Sequence, residues 1–342
     1  MAGHVTPMLR SADVAPPGMR FVPGGVFAMG SDRFYPEEAP VRCVRVDAFW
    51  IDETPVTNAE FARFVEATGH VTTAEIPPDP CDYPGLDPAA AHAGSAVFEK
   101  SPMPIDTSDP ARWWTFQAGA DWRHPTGPAS SLDGLEDHPV VHVTAVDAEA
   151  YATWAGKDLP TEAEWEFAAR GGLDGADYAW GDTLMPGGQV MANTWFGLFP
   201  FANQSPHGWT RTSPVRSFPA NGHGLHDMIG NVWEWTADWW STAMPGEPVK
   251  RCCVPANPRG GSERASIDPT VSARFPRRVL KGGSHLCAPN YCQRYRPAAR
   301  HPETIDTSTS HIGFRCLVRP RSGEPAPSAL AEHAEHGRRA RT

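Results

Sequence analysis

Residues 221–235 read NGHGLHDMIGNVWEW, a glycine-rich turn that leads directly into a short aromatic strand. Glycine permits the tight backbone turns that such a stretch needs, and the tryptophans at its end are typical of a core strand. Past residue 175, short apolar pieces recur between Gly, Pro and Asn, and no strand–helix alternation is sustained. The sequence therefore predicts a single loop-rich α+β domain with low regular secondary structure, rather than a doubly wound sheet.

The composition indicates a folded, turn-rich protein. The chain has 342 residues and a formal net charge of −10, without a basic block. Binding to a nucleic-acid backbone needs clustered Lys and Arg, so that class of function is not expected. The 31 glycines and 36 prolines indicate many turns, and the 13 tryptophans and 15 phenylalanines provide for a packed core. Coiled coils, collagen and long helical bundles are excluded.

The two ends of the chain lack aromatic residues. We predict disordered tails at 1–18 and 321–342 around one domain at 19–320. No window approaches 18 consecutive apolar residues, and the N-terminus lacks the apolar core of a signal peptide. The cytoplasm is therefore the expected compartment, where the seven cysteines should be mostly reduced. Their odd number leaves at least one thiol unpaired.

Local signals predict three helices in the first half of the chain. Capping boxes at 57–60 and 161–164 each open a helix, and these helices end at Gly69 and at Gly171. Another helix is expected at about 145–155.

Strand signals are fewer. The turn residues at 23–25 predict a hairpin between 21–22 and 26–27. Alternating residues at 44–48 predict a half-buried strand. The segment 77–137 carries no long periodic run, and we predict an irregular segment held in place by Trp113, Trp114 and Trp122.

The sharpest chemical feature is the pair Cys287 and Cys292, in the stretch KGGSHLCAPNYC at 281–292. Two thiols five residues apart admit three states: a disulfide, two ordinary buried thiols, or a two-sulfur metal site. Zinc usually takes four ligands, and no second pair of Cys or His lies nearby. Two thiolates alone suit a soft ion of low coordination number, above all Cu(I).

A second candidate metal site lies in the glycine-rich stretch at 221–235. Asp227 and Glu234 are carboxylates seven residues apart with a glycine between them. Together with backbone carbonyls they form a hard-oxygen set suited to Ca²⁺. The alternative is a solvated turn followed by a core strand.

The remaining cysteines and the common catalytic motifs give weaker signals. The adjacent Cys252 and Cys253 are expected to be an unbridged loop pair, because a bridge between neighbours is strained. Cys43, Cys81 and Cys316 have no partner in the sequence and are expected to be structural. The sequence contains no Walker A loop, GxGxxG, HExxH or GxSxG, and nothing points to a Ser-His-Asp triad.

Taken together, segments over nearly all of 19–318 resemble the formylglycine-generating enzymes, also called sulfatase-modifying factors. The shared segments are VPGG at 22–25, MGS at 29–31, PVTN at 55–58, PVVHV at 139–143, LPTEAEWE at 159–166, GNVWEW at 230–235, KGGS at 281–284 and GFRC at 313–316. These segments alone identify the wider superfamily. The pair Cys287 and Cys292, followed by RYR at 294–296, is more specific, since it resembles the catalytic pair of true formylglycine generators.

The resemblance implies a copper-dependent oxidase that uses O₂ to convert the cysteine of a Cys-x-Pro-x-Arg motif in an unfolded sulfatase to Cα-formylglycine, thereby activating the sulfatase. Cu(I) would lie between Cys287 and Cys292, and the substrate thiolate would join it as a third sulfur. Loss of a Cβ hydrogen would give a thioaldehyde, which hydrolyses to the aldehyde. Ser284 matches a family active-site serine that positions oxygen or water, and Trp233 matches a tryptophan that lines the pocket.

The resemblance also implies a loop-rich variant of the C-type-lectin-like fold, stabilised by calcium. One family calcium site matches Asp227, Gly230, Val232 and Glu234, with main-chain oxygens from Gly230 and Val232. The second matches Asn193, Thr194 and Trp209, but His207 replaces its usual Asp. Because neutral imidazole is a poor Ca²⁺ ligand, the second site is expected to be weakened or lost.

The family's secreted members have disulfides that this sequence lacks. Ala168, Ala169 and Pro297 stand at positions where such relatives carry Cys, so Cys316 is expected to be a free thiol. The resemblance further implies a monomer. The 77–137 segment and the neighbourhood of Cys252 are elaborations without an assigned role.

Two alternatives stand beside the oxidase. A non-catalytic binding module would display a groove for a peptide or a glycan, but such relatives are expected to lack the cysteine pair. An iron enzyme that joins sulfur to a histidine derivative would carry an additional helical domain with a His-rich motif, which this sequence does not contain.

Overall fold

The structure is a computed structural model that describes residues 15–242 and 254–320. The predicted loop pair Cys252 and Cys253 lies outside these ranges, as do residues 1–14 and 321–342 of the predicted tails. The boundaries of the domain at 19–320 therefore stay a prediction.

Short strands between long loops make up most of the regular structure. The strands are β1 (Met19–Val22), β2 (Gly25–Met29), β3 (Arg42–Val46), β4 (Phe49–Asp52), β5 (Gly94–Phe98), β6 (Trp114–Ala118), β7 (Trp233–Trp239), β8 (Arg277–Lys281), β9 (Arg300–Thr304), β10 (Ile312–Gly313) and β11 (Leu317–Val318). The α-helices are α1 (Asn58–Thr68), α2 (Ala145–Trp154), α3 (Glu162–Arg170) and α4 (Glu263–Ser266). Single 3₁₀ turns lie at Pro36–Glu38, Thr73–Glu75, Pro88–Ala90, Pro110–Arg112 and Pro186–Gly188.

The strands of the described residues form four small sheets. The central sheet has the order β10-β7-β8-β9, and the other three are β1-β4-β11, β2-β3 and β5-β6. Only the β10-β7 pair is parallel among the described pairs. No helix in the described ranges is both long and apolar enough to cross a membrane. This architecture confirms the predicted loop-rich α+β class.

The two faces of the central sheet have different environments. Glu234, Lys281 and Arg300 are aligned across β7, β8 and β9, and so share one face. That face packs on α3, where Lys281 and Arg300 meet the helix carboxylates of Glu166 and Glu162. Trp235, Leu280 and His301 are aligned on the opposite face. The candidate site lies on that second face.

The capping boxes predicted for α1 and α3 are both formed. Thr57 Oγ1 accepts the Glu60 amide at 3.3 Å, and Thr161 Oγ1 accepts the Glu164 amide at 3.2 Å. Each helix ends at a glycine in the left-handed region, Gly69 and Gly171. The helix expected at about 145–155 is α2. These predictions are confirmed because each depends on contacts within one helix turn.

The hairpin predicted around 23–25 is wrong. The strand before this turn, β1, pairs with β4, whereas the strand after it, β2, pairs with β3. A Cβ at Gly24 would lie 2.7 Å from the carbonyl oxygen of Val46, so the chain crosses closely between two sheets at this point. The turn residues are predicted correctly, but their role is a crossing rather than a hairpin.

The segment 77–137 is less irregular than predicted. It contains the antiparallel pair β5-β6, with Gly94 opposite Ala118 and Phe98 opposite Trp114. The 15 residues that separate the two strands conceal the pairing, since sequence signals for hairpins depend on short turns. Trp113 and Trp122, two of the tryptophans expected to hold the segment in place, are both buried.

Candidate active site

The two cysteines singled out by the sequence lie together in the loop that follows β8. Their sulfur atoms are 3.1 Å apart, well beyond the 2.03–2.05 Å of a disulfide bond. Cys287 is buried and Cys292 is half-buried. Tight turns hold both, since the Cys287 amide donates to Ser284 O at 3.0 Å and the Cys292 amide to Ala288 O at 2.9 Å. The pair is therefore two free thiols in contact rather than a bridge.

The two thiols differ in acidity. The pKa of Cys292 is lowered to about 7, chiefly by a hydrogen bond from the Cys287 thiol and also by the Arg294 amide and guanidinium, against the effect of burial. Burial, together with the same shared hydrogen bond, raises the pKa of Cys287. The arrangement thus favours a Cys292 thiolate that accepts a hydrogen bond from a neutral Cys287 thiol.

Aromatic side chains enclose the space above the cysteines. The cavity there has a volume of about 410 Å³. Its aromatic wall consists of Trp113, Trp114, Phe199, Trp233 and Tyr291. The rings of Phe199 and Tyr291 stack with 4.5 Å between centroids, and Trp113 meets Tyr291 edge-on at 5.3 Å. A cavity with such walls limits the access of water to a bound group.

Ser284 and Trp233 both line the cavity that contains the cysteine pair. Ser284 is fully buried, its amide approaches Cys287 Sγ at 3.4 Å, and its hydroxyl accepts the Leu286 amide at 3.2 Å. The preceding Gly283 has φ +69°, and a Cβ there would lie 2.7 Å from Arg294 O. Only glycine therefore allows the chain to turn from β8 into this loop.

Several cavity residues were missed by sequence reasoning. Besides Trp113, Trp114 and Phe199, the wall includes His301, Glu303 and His311. Burial lowers the pKa of both histidines and raises the pKa of Glu303 to about 7. The sequence does contain one signal for these residues. His301 and Glu303 are alternate residues, so in a strand they lie on the same face.

The two carboxylates of the first predicted calcium site differ in how many of their oxygens are already hydrogen-bonded. Asp227 is buried, burial raises its pKa, and its carboxylate accepts the Arg216 amide at 2.9 Å. Its other oxygen has only a 3.5 Å contact with Asn231 Nδ2. Glu234, in contrast, receives Arg315 on both oxygens at 2.8 Å and Trp165 Nε1 at 2.7 Å. Asp227 thus keeps a carboxylate oxygen of the kind that calcium prefers, whereas Glu234 is already neutralised by an arginine.

The second predicted calcium site has weaker donors. Asn193 and Thr194 are buried, but His207 is exposed and its ring stacks on Trp209 with 5.2 Å between centroids. Within residues 15–242 and 254–320, no group of three or more His, Cys, Asp or Glu side chains comes close enough to hold a metal ion. Both predicted calcium sites would therefore depend on carbonyl or amide oxygens.

The other cysteines in the described ranges, Cys43, Cys81 and Cys316, are unbridged. Cys316 is a buried free thiol, as expected from the missing disulfide partners. Cys43 and Cys81 are exposed, so the expectation that they are structural is wrong. Their sequence surroundings gave no information on exposure, which depends here on the surrounding tertiary structure.

Comparisons with known proteins show the family of this chain. The family model for the sulfatase-modifying factor enzyme 1-like domain matches residues 6–320. A protein of Mycobacterium tuberculosis named formylglycine-generating enzyme is 55% identical over 303 residues, which are 88% of this chain and 98% of that protein. A protein of the same name from Streptomyces coelicolor is 47% identical over 86% of this chain and 87% of its own length.

The similarity extends to solved structures. The structure of PvdO from Pseudomonas aeruginosa superposes with a TM-score of 0.58 at 23% identity, covering 87% of this chain and 93% of that chain. At this identity the likeness shows the fold alone. The family model and the two bacterial relatives, in contrast, match the sequence itself over most of its length. The chain thus belongs to the family of sulfatase-modifying factor enzyme 1-like domains, with the fold of the formylglycine-generating enzymes.

Proposed function

We propose that this protein activates sulfatases by converting the cysteine of a Cys-x-Pro-x-Arg motif to Cα-formylglycine, with O₂ as the oxidant and Cu(I) as the cofactor. The observation that carries the proposal is the unbridged cysteine pair, 3.1 Å between sulfurs, at the base of an aromatic cavity. The bacterial relatives named formylglycine-generating enzyme support the same reaction.

The residues at the cavity fit a soft monovalent ion. Two thiols are in contact, neither is engaged in a disulfide, and both line the cavity that would admit a third sulfur. The lowered pKa of Cys292, about 7, favours its thiolate, which is the form in which cysteine binds a metal. When bound between Cys287 and Cys292, copper(I) supplies the one-electron chemistry that O₂ needs in order to react with a thiolate.

The protein's own residues would bind the substrate, orient the reacting groups and enclose them. The aromatic wall, including Trp233, keeps bulk water from the reacting sulfur. Ser284 lines the same cavity, and its hydroxyl would orient oxygen or water there. O₂ would accept two electrons and two protons from the substrate –CH₂–SH group and two of each from a thiol reductant, which gives a thioaldehyde and two molecules of water. Water then replaces its sulfur, so that hydrogen sulfide leaves and the aldehyde remains.

Calcium is a structural part of the proposal. Asp227 and the main-chain oxygens of Gly230 and Val232 would hold the ion in the turn before β7, where it would offset the buried Asp227 carboxylate. We expect chelation of calcium to lower the melting temperature, because a ligand of the native state stabilises it. Asp227→Asn should abolish this response. An unchanged melting temperature after chelation would contradict the site.

The direct test uses a Cys-x-Pro-x-Arg peptide, copper-loaded protein, O₂ and a thiol reductant. Aldehyde is detected by reaction with a hydrazide probe and by mass spectrometry. The wild type should form aldehyde, and Cys292→Ala should not. Cys43→Ala is the matched control, because Cys43 is an exposed thiol away from the cavity. Full turnover by Cys292→Ala, or tight peptide binding without O₂ uptake by the wild type, would overturn the proposal, and the second result would favour a binding module. Action in the cytoplasm and as a monomer are further expectations of this proposal.

A further inference from the structure

One face of the central sheet carries a strip of aligned side chains, part of which lines the cavity. Trp235 is aligned with Leu280, and Leu280 is aligned with His301. Because alternate residues of a strand share a face, Trp233 and Glu303 extend this strip at its two ends. Trp233, Leu280, His301 and Glu303 all line the cavity that contains the cysteine pair. The alternation of side chains along β9 therefore places Glu303 in the cavity where the reaction is proposed to occur.

Among the residues that the structure describes, Glu303 receives hydrogen bonds on one carboxylate oxygen and none on the other. Its Oε1 accepts the Thr307 hydroxyl at 2.9 Å and the Thr304 amide at 3.2 Å. Its Oε2 faces His301 Nε2 at 4.0 Å, which is too far for a hydrogen bond. A quarter of the side chain, 25%, is accessible. The carboxylate is thus fixed in position while one oxygen remains free to receive a proton.

The proposed reaction needs a proton acceptor in this cavity. The substrate enters as a thiol but is required as a thiolate, and the two protein cysteines are assigned to the metal. The histidines His301 and His311 are weak bases, since burial lowers the pKa of each. Among the described residues that line the cavity, Glu303 is the only carboxylate.

We propose that Glu303 is the residue that takes the proton of the substrate cysteine thiol as it enters the cavity. The S–H bond breaks, the sulfur keeps the electron pair as a thiolate, and the proton forms an O–H bond on Glu303. The carboxylic acid then returns the proton to water through its accessible edge. This inference rests on the proposed function and assigns a residue that neither the cysteine motif nor the resemblance to the family identifies.

The electrostatic surroundings of Glu303 match this role. The pKa of Glu303 is raised to about 7, chiefly by burial and also by the charge of Asp306, against the lowering effect of the Thr307 and Thr304 donors and of Arg277. Across the sheet, Arg278 stands opposite Glu303 but its guanidinium is engaged by Glu149. His301 is a further titratable group beside the carboxylate. A base with a pKa near that of a thiol can take up and release a proton with little energetic cost in either direction.

The test compares the pH dependence of kcat/KM for Glu303→Gln and Thr307→Val. In the wild type, kcat/KM should rise with pH through about 7 as Glu303 loses its proton. In Glu303→Gln, kcat/KM should no longer rise through pH 7 and should be lower than in the wild type by about 10-fold or more at pH 8. Thr307→Val should move the rise to higher pH, because it removes a donor to the carboxylate. Glu66→Gln, an exposed carboxylate on α1, is the control that should keep the wild-type profile.

A second measurement does not depend on activity. Infrared titration of the carboxyl band in metal-free protein should show a group that titrates near pH 7 in the wild type and is missing in Glu303→Gln. A wild-type pH profile in Glu303→Gln, or a Glu303 band that titrates at the ordinary pH of a glutamate, overturns the inference while the proposed function stands. If the wild type forms no aldehyde at all, the proposed function fails and this inference fails with it.

Discussion

At the scale of single residues, the proposed chemistry depends on a difference between two chemically identical side chains. Cys287 is buried and its pKa is raised, whereas Cys292 receives a hydrogen bond from Cys287 and lies beside Arg294, so its pKa is lowered to about 7. Neither effect can be obtained from the spacing of the two cysteines, because the spacing is equally compatible with a disulfide. The pair has its properties only when the loop after β8 places the two sulfurs in contact.

This asymmetry predicts selective alkylation of the metal-free protein. The thiolate is the reactive form, so iodoacetamide should modify Cys292 with a rate that rises through pH 7. Cys287→Ala removes the donor and should slow the modification of Cys292 at pH 7 by roughly 10-fold, as its pKa returns towards the ordinary value of about 8.5. Peptide-level mass spectrometry separates Cys292 from the exposed Cys43 and Cys81.

The control for this experiment is Cys316→Ala, which removes a buried thiol outside the cavity. It should leave the pH dependence at Cys292 unchanged. An equal rate of modification in Cys287→Ala and in the wild type at pH 7 would show that the shared hydrogen bond does not set the acidity of Cys292.

At the scale of elements, α3 positions the sheet that carries the site. Glu162 forms a two-point ion pair with Arg300 of β9 at 2.7 and 2.9 Å, and Glu166 binds Lys281 of β8 at 3.0 Å. Trp165 Nε1 donates to Glu234 of β7 at 2.7 Å. One helix thus contacts three neighbouring strands through buried polar groups, and the opposite face of those strands forms the cavity wall.

Removal of one of these carboxylates should be strongly destabilising. Glu162→Ala leaves the fully buried Arg300 without its bidentate partner, and we expect a loss of about 3–5 kcal/mol in the free energy of unfolding. Urea denaturation at pH 7 measures this. Glu149→Ala, which breaks the partly exposed pair with Arg278, should cost about 1 kcal/mol or less. Similar losses in both variants would contradict the role assigned to α3.

The elements also show what the sequence can and cannot predict. The starts and ends of α1 and α3 are predictable because a capping box and a terminal glycine are local features. The crossing at Gly24 and the β5-β6 pair are not, because each depends on partners distant in the chain. The same division applies to the site: Cys287, Cys292 and Ser284 belong to one continuous motif, whereas Glu303 and Trp114 reach the cavity only through the sheet and the β5-β6 pair.

At the scale of the whole molecule, the segment 77–137 acquires a role. It brings Trp113 and Trp114, at the start of β6, to the cavity, which the central sheet also lines. The segment packs on the rest of the protein through Trp113, which meets Phe199 edge-on at 5.3 Å. What looked like an elaboration of the sequence therefore supplies part of the enclosure that the proposed chemistry needs.

This role predicts a specific effect of Trp114→Ala on substrate binding. Trp114 is half-buried and packs against His311 with 4.7 Å between ring centroids, so its removal opens the cavity to water. We expect KM for the peptide to rise by roughly 10-fold, corresponding to a lost aromatic contact of about 1.4 kcal/mol, with a smaller change in kcat. Trp154→Ala, on the exposed side of α2, is the control and should change neither constant. An unchanged KM for Trp114→Ala would exclude the segment from the substrate site.

The central claim is that Cys287 and Cys292 hold one copper(I) ion between them. X-ray absorption at the copper K-edge, on protein loaded with one equivalent of Cu(I) without peptide, tests it most directly. We predict a first shell of two sulfur atoms, which is lost in both Cys287→Ala and Cys292→Ala and retained in Cys316→Ala. A first shell dominated by nitrogen or oxygen, or a two-sulfur shell that survives in Cys292→Ala, would contradict it.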